Sequence, residues 1–172
     1  SLDRKYLLQQ APTGLVRETI VVDSSPEPDT AAVAQRAGAQ VLRSGANRGR
    51  QLQVGIAAAT APWLLLLHAD SRLPTGWGTR VERAMADEPA AWYFDFQVAA
   101  AGLNLRLLEW AVHWRCQLRA LPYGDQGLLL PRALLEQAGG MRPLALMEDL
   151  DLIQRLQPLA SIRRLGLPLA VH

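Results

Sequence analysis

Five consecutive apolar residues, Trp63-Leu-Leu-Leu-Leu67, run directly into His68-Ala69-Asp70. A short apolar run without the alternation of a half-exposed strand reads as a strand buried on both faces. Sheets covered by helices on each side require such strands. A carboxylate placed just beyond a buried strand is costly unless something pairs with it. In open α/β sheets this end of the strand is also where ligands bind.

The rest of the chain is punctuated accordingly. Leu2 to Gln10 reads as the tail of a helix. Glu18-Thr-Ile-Val-Val22 is a β-branched run stopped by Asp23-Ser-Ser-Pro26. A helix capped by Asp29 or Thr30 is expected to run to about Ala37 and end at Gly38. Residues 39–42 read as a short strand, 49–60 as a small-residue helix with Gly55 at a close contact, 74–85 as a helix and 92–98 as an alternating strand. Beyond these come a long amphipathic helix over 103–121, a strand at 128–130, a helix over 132–138 ended by Gly139-Gly140, a helix over 150–156, and short strands at 162–165 and 169–171. Strand–helix alternation in the first half predicts an α/β fold with a mostly parallel, Rossmann-like sheet and helices on both faces. Strands 18–22, 40–42 and 63–67 are expected to be parallel neighbours, with Asp23 and Asp70 at one edge facing a common cleft. No repeat, low-complexity tract or linker interrupts the chain, so its 172 residues are expected to form one domain.

Composition narrows the function. The net charge is +2 and no Lys/Arg stripe is present, which argues against nucleic acid as a partner. Lys5 is the single lysine among 18 Lys and Arg, so 17 are arginines. Genomic base composition is the simpler reading of that bias, although the planar guanidinium fork also suits a diphosphate. One cysteine, Cys116, excludes an internal disulfide and points to a reducing, cytoplasmic setting. No signal peptide and no run of membrane-spanning length is visible. In the 103–121 helix, Leu107, Trp110 and Trp114 recur at helical spacing, with Arg106, Arg115 and Arg119 elsewhere on it. A packing or homodimer helix is favoured there over one lying on the inner face of the membrane.

Two carboxylates stand at strand ends. Asp23 suits a sugar hydroxyl, a base N–H or a cation as well as it suits a turn. Leu67-His-Ala-Asp-Ser-Arg72 is more specific. It resembles the Asp-x-Asp motif of GT-A glycosyltransferases, with His68 standing at the first acidic position. In such a motif a hard cation bridges a carboxylate to diphosphate oxygens. Imidazole at the first position suits manganese better than magnesium; alternatively, His68 hydrogen-bonds a phosphate.

Further segments carry the same resemblance. Ile20-Val-Val-Asp23 with Ser24-Ser25 and Asp29-Thr30 is similar to the Val-Val-Asp-Gly-Ser-x-Asp-Gly-Thr segment of family 2 glycosyltransferases. Asn47-Arg-Gly-Arg-Gln51, Leu121-Pro-Tyr-Gly-Asp-Gln-Gly127 and Met147-Glu-Asp-Leu-Asp151 follow in the order found in that family. The combination of His-Ala-Asp with Tyr-Gly-Asp-Gln-Gly resembles a bacterial branch described as radical-SAM/selenium-domain-associated transferases. Members of the family begin with a strand ending in a Pro-x-x-Asn-Glu loop. No such strand precedes these segments, so the first strand and a C-terminal tail are expected to be missing from this chain.

The resemblance implies a transfer from a nucleotide-diphosphate sugar to an acceptor hydroxyl, with Mn2+ or Mg2+ as cofactor and inversion at the anomeric carbon. Asp23 and Ser25 would then lie at the nucleoside, and Arg48 and Arg50 at the diphosphate or the loop that holds it. Asp70, with His68, would hold the metal. Gly124, Asp125 and Gln126 would line the sugar and acceptor side. Asp149 would be the catalytic base, with Glu148 beside it as the other acidic candidate and Asp151 in a solvated or capping set. A nucleotidyltransferase would instead want a Gly-rich phosphate loop after the first strand. A nucleotide-sugar-binding module without catalysis would fit the substitution at His68. Metal-dependent donor turnover separates the three.

Overall fold

The computed structural model describes residues 14–26, 28–98 and 126–171. The expected helices over 2–10 and 103–121, and Cys116, Gly124 and Asp125, lie outside the described residues. So does the dimer or membrane role given to 103–121.

The elements are β1 (Ile20–Asp23), α1 (Pro28–Arg36), β2 (Gln40–Arg43), α2 (Arg48–Ala58), β3 (Trp63–Leu66), β4 (Ser71–Arg72), α3 (Trp77–Ala86), β5 (Ala91–Val98), β6 (Leu128–Pro131), α4 (Arg132–Gln137), α5 (Glu148–Leu156) and β7 (Ile162–Val171). β1 and β2 pair in parallel, as the βαβ pattern requires. The other five strands form one mixed sheet in the order β3-β6-β5-β7-β4. Within it β5 and β7 are parallel over the longest register, whereas β6 is antiparallel to both β3 and β5.

One expectation is corrected here. β3 is not a neighbour of β1 and β2 among the described residues; Trp63–Leu66 instead pairs antiparallel with Leu128–Pro131. Both strands are uninterrupted apolar runs. Such a run demands cover on both faces but carries no information on the direction of its partner. Asp23 therefore ends a strand of one described sheet, whereas Asp70 lies in the turn between β3 and β4 of the other.

The sheet pleat sorts its side chains onto two cores. Trp92, Phe94 and Leu129 join Trp77, Val81 and Ala84 of α3 on one face. Ala91, Leu130 and Leu64 meet Leu134 and Leu135 of α4 and Leu152, Ile153 and Leu156 of α5 on the other. Helices thus cover both faces, which is why β3 and β6 are apolar at every position. In α5 the buried residues Glu148, Leu152, Ile153 and Leu156 recur at helical spacing along one face.

Sequence punctuation misplaced one element. Residues 162–165 and 169–171 are one strand, Ile162–Val171, and not two. Between Tyr93↔Arg164 and Asp95↔Pro168 the register slips, and Gly166 adopts φ +72°. Gly-Leu-Pro therefore marks a bulge: the glycine takes the left-handed backbone that a side chain resists, and pairing resumes beyond it.

Candidate active site

A small pocket opens where β3, α2 and α5 meet. Leu52, Leu66, Leu67, Leu128, Met141 and Leu152 supply apolar lining, and Arg48, His68 and Asp149 supply the polar groups. The three come from the start of α2, the turn after β3 and the start of α5. Residues far apart in sequence are thereby brought to one place: a guanidinium, an imidazole and a carboxylate.

Each is aimed by local structure. Asn47 caps α2, its Oδ1 accepting from Arg50 N at 2.9 Å. Arg48 is thus fixed on the first turn. Met147, the one described non-glycine residue with positive φ (59°), precedes α5. A left-handed residue there bends the chain sharply into the helix and stores strain, as is common at functional sites. The bend turns Glu148 inward, where it is 1 % exposed, while Asp149 reaches the pocket. Asp149 Oδ1 accepts the Leu150 N–H at 2.8 Å.

Glu148 does not line the pocket. Its Oε1 lies 2.6 Å from Arg48 Nε, without the alignment of a hydrogen bond. Charge holds the pair, which joins the starts of α2 and α5. Asp151 is also engaged structurally, pairing with Arg155 at 2.6 Å and with Arg142 at 2.9 Å. Both are side-chain ion pairs and not a helix cap.

The segment 141–147 lies across the start of α2. Gly49 N donates to Leu144 O at 3.2 Å, Asn47 Nδ2 to Pro143 O at 3.3 Å and Gln53 Nε2 to Met141 O at 3.3 Å. A Cβ on Gly49 would meet Arg142 O at 2.4 Å and Leu144 O at 2.6 Å. Both are backbone atoms, so one of the two segments must move. Gly49→Ala is therefore expected to destabilise by about 1–3 kcal/mol, the usual range for overpacking. Urea denaturation measures this, and a stability equal to wild type would show that 141–147 is not seated on α2. This strap was missed in the sequence, where Gly49 looked like one small helical residue among several.

The remaining candidates are distributed more widely. Asp23 is buried (6 % exposed); its Oδ1 accepts from Ser25 N at 2.9 Å and its Oδ2 lies 3.0 Å from Arg43 Nη1. The first contact is an Asx-turn. Arg43 had not been singled out, since a strand-end arginine carries no local signal. Gln51 of α2 donates to Val22 O and Ser24 Oγ, both at 3.2 Å, so the helix that carries Arg48 also fixes the end of β1. Arg50 is exposed and does not line the pocket. Gln126 is buried and donates to Phe94 O at 3.2 Å. Asp70 is exposed in the turn between β3 and β4, two residues beyond His68, with no hydrogen bond or ion pair among the described residues.

The profile of glycosyl transferase family 2 matches residues 5–124. The chain belongs to that family. No curated protein sequence matches significantly. Among solved structures, glucosyl-3-phosphoglycerate synthase from Mycobacterium tuberculosis, in complex with Mn2+, UDP-glucose and phosphoglyceric acid, is similar at TM-score 0.62 and 20% identity. That match covers 99% of this chain and 67% of the synthase. The same enzyme with Mg2+ and UDP gives TM-score 0.62 at 20% identity, with the same coverage. A mycobacterial protein gives 0.63 at 21% identity, over 99% of this chain and 62% of the other. The family 2 chain therefore has the GT-A fold and spans about two thirds of the length of these structures.

Proposed function

We propose that this family 2 domain transfers a sugar from a nucleotide-diphosphate sugar to an acceptor hydroxyl with inversion, and that it belongs to the His-Ala-Asp branch of the family. The observation that carries this reading is the convergence of Arg48, His68 and Asp149 in one pocket, beside the strand-end turn that holds Asp70. Displacement by a hydroxyl needs a base on the acceptor side and positive charge on the leaving-group side, and these residues supply one of each.

Asp149 accepts the acceptor proton as the acceptor oxygen bonds the anomeric carbon and the bond to the diphosphate oxygen breaks. One displacement inverts the centre. Arg48 opposes the charge left on the diphosphate. The apolar lining from Leu52, Leu66 and Leu128 limits water, which strengthens that interaction and protects the donor from hydrolysis. Asp23 and Ser25, at the end of β1, serve the nucleoside. The two synthase structures hold UDP-glucose with Mn2+ and UDP with Mg2+, and the first also holds phosphoglyceric acid. This supports a nucleotide-sugar donor for the present chain.

The donor set fits a divalent cation. Asp70 offers an exposed carboxylate without a protein partner among the described residues, and His68 a nearby imidazole. No cluster of three His, Cys, Asp or Glu capable of holding a metal occurs among the described residues. A small hard cation commonly takes one or two protein ligands and completes its shell with phosphate and water. When bound, it would supply neutralisation of the diphosphate.

Two results test the reading. Asp70→Ala is expected to abolish Mn2+-dependent binding of the nucleoside diphosphate, whereas His68→Ala is expected mainly to change which metal supports it. Isothermal titration with and without Mn2+ or Mg2+ reads both. Unchanged metal-dependent binding in Asp70→Ala would remove the metal assignment.

A further inference from the structure

Glu148 is 1 % exposed and does not line the pocket. Its ionic partner is Arg48, the one guanidinium among the described residues that does. We propose that Glu148 is a positioning residue that acts through Arg48: it sets the guanidinium, and with it the start of α2, at a fixed place relative to Asp149 across the pocket. This deepens the proposed function and rests on it.

The argument begins with connectivity. Glu148 and Asp149 are adjacent on the first turn of α5, so their side chains leave the helix in different directions. One points to the protein interior and the other to the pocket. The inward carboxylate meets the first residue of α2 at 2.6 Å. Any shift of α5 that moves Asp149 therefore strains the Glu148–Arg48 contact, and any rotation of Arg48 away from the pocket strands a buried anion. Both ends of the reaction, the departing diphosphate and the attacking hydroxyl, are thereby referred to one ion pair.

The geometry also explains why an arginine stands here. A guanidinium can direct Nε to one carboxylate and still present further N–H donors elsewhere, which an ammonium cannot do with fixed orientation. One Arg48 terminal nitrogen, Nη2, is buried and has no hydrogen-bond partner among the described residues. Glu148 therefore does not saturate the guanidinium, as is required if Arg48 also serves a ligand. The strap 141–147 crosses the start of α2 next to Arg48, and Gly49 is the residue that lets it approach.

The test is a double-mutant cycle on nucleotide affinity. Uridine, guanosine, thymidine, cytidine and adenosine diphosphates are titrated with Mn2+ into wild type, Glu148→Gln, Arg48→Met and the double variant, each checked by thermal melting. Glu148→Gln keeps the shape and removes the charge. It is expected to weaken the nucleotide that wild type binds about tenfold, within the usual coupling of contacting neighbours. Glu148→Asp, which keeps the charge on a shorter arm, should recover part of that loss. In the Arg48→Met background Glu148→Gln should change affinity no further, because the group through which it acts is gone. A merely structural glutamate would shift the melting temperature and leave affinity alone. Equal losses of affinity in both backgrounds, or unchanged affinity in a folded Glu148→Gln, would overturn the role of Glu148. If wild type binds none of the diphosphates, the nucleotide-sugar reading beneath it fails instead.

Discussion

Replacing Asp149 by Asn is expected to lower the single-turnover rate of sugar transfer by about a hundred- to ten-thousand-fold, the usual contribution of a general base. Donor affinity should stay at the wild-type value. The substitution preserves volume and leaves an amide oxygen able to accept the Leu150 N–H, as Asp149 Oδ1 does now at 2.8 Å. It removes only basicity. Because Asp149 stands at the pocket and Arg48 is the residue proposed to oppose the diphosphate charge, losing the base should slow proton removal without weakening the grip on the diphosphate. The contrast with Glu148→Gln is the informative part. One neighbour should fail in rate and the other in affinity, from adjacent positions on the same helical turn. The measurements are single-turnover kinetics, once a donor and acceptor pair are identified, and donor titration. Near-normal turnover in Asp149→Asn would dismiss Asp149 as the base; lost donor binding would make it a binding residue.

Arg48→Met should destabilise the fold by about 3–5 kcal/mol, the cost of removing one partner from a buried ion pair. Glu148 is 1 % exposed, so its carboxylate has no route to water once Arg48 is gone. Against a typical domain stability of about 5–15 kcal/mol this is a large fraction. Glu148→Met should cost less, because the Arg48 side chain is 38% exposed and its charge can turn toward solvent. The double variant, Arg48→Met with Glu148→Met, should regain most of the loss. Two flexible apolar side chains can fill the same volume with no charge left to desolvate. Denaturant midpoints for the four proteins give the cycle. An Arg48→Met variant as stable as wild type would mean that the anion at Glu148 is solvated by another route.

Local chemistry made much of this molecule legible in advance. The apolar runs at 63–67 and 20–22 became strands, because β-branched and leucine runs that cannot face water need sheet pairing with cover on both sides. Gly38 and Gly139-Gly140 stop their helices as helix C-terminal glycines do. Asp23 and Asp70 were recognisable as carboxylates at or just beyond strand ends. Helix starts were less legible: α5 begins at Glu148 and not near Leu150, since Met147 takes a left-handed backbone that no local residue preference announces.

Tertiary structure alone decided the rest, because it depends on which distant segment arrives alongside. An apolar strand specifies burial but not the direction of its neighbour, so the antiparallel pairing of Trp63–Leu66 with Leu128–Pro131 was not written locally. Two adjacent acids look equivalent in a sequence. Only the turn at Met147, which sends Glu148 inward to Arg48 and leaves Asp149 at the pocket, separates a buried anchor from a candidate base. Gly49 was read only as the first residue of a small-residue helix, and its role became visible only when backbone carbonyls of 142 and 144 were found where its side chain would be. The sequence determined the pieces and the chemistry they carry, through residue-level preferences acting over a few positions. The assignment of each charged group to structure or to reaction came from packing contacts between segments about a hundred residues apart, such as Arg48 with Glu148, and such contacts exist only once the chain has closed on itself.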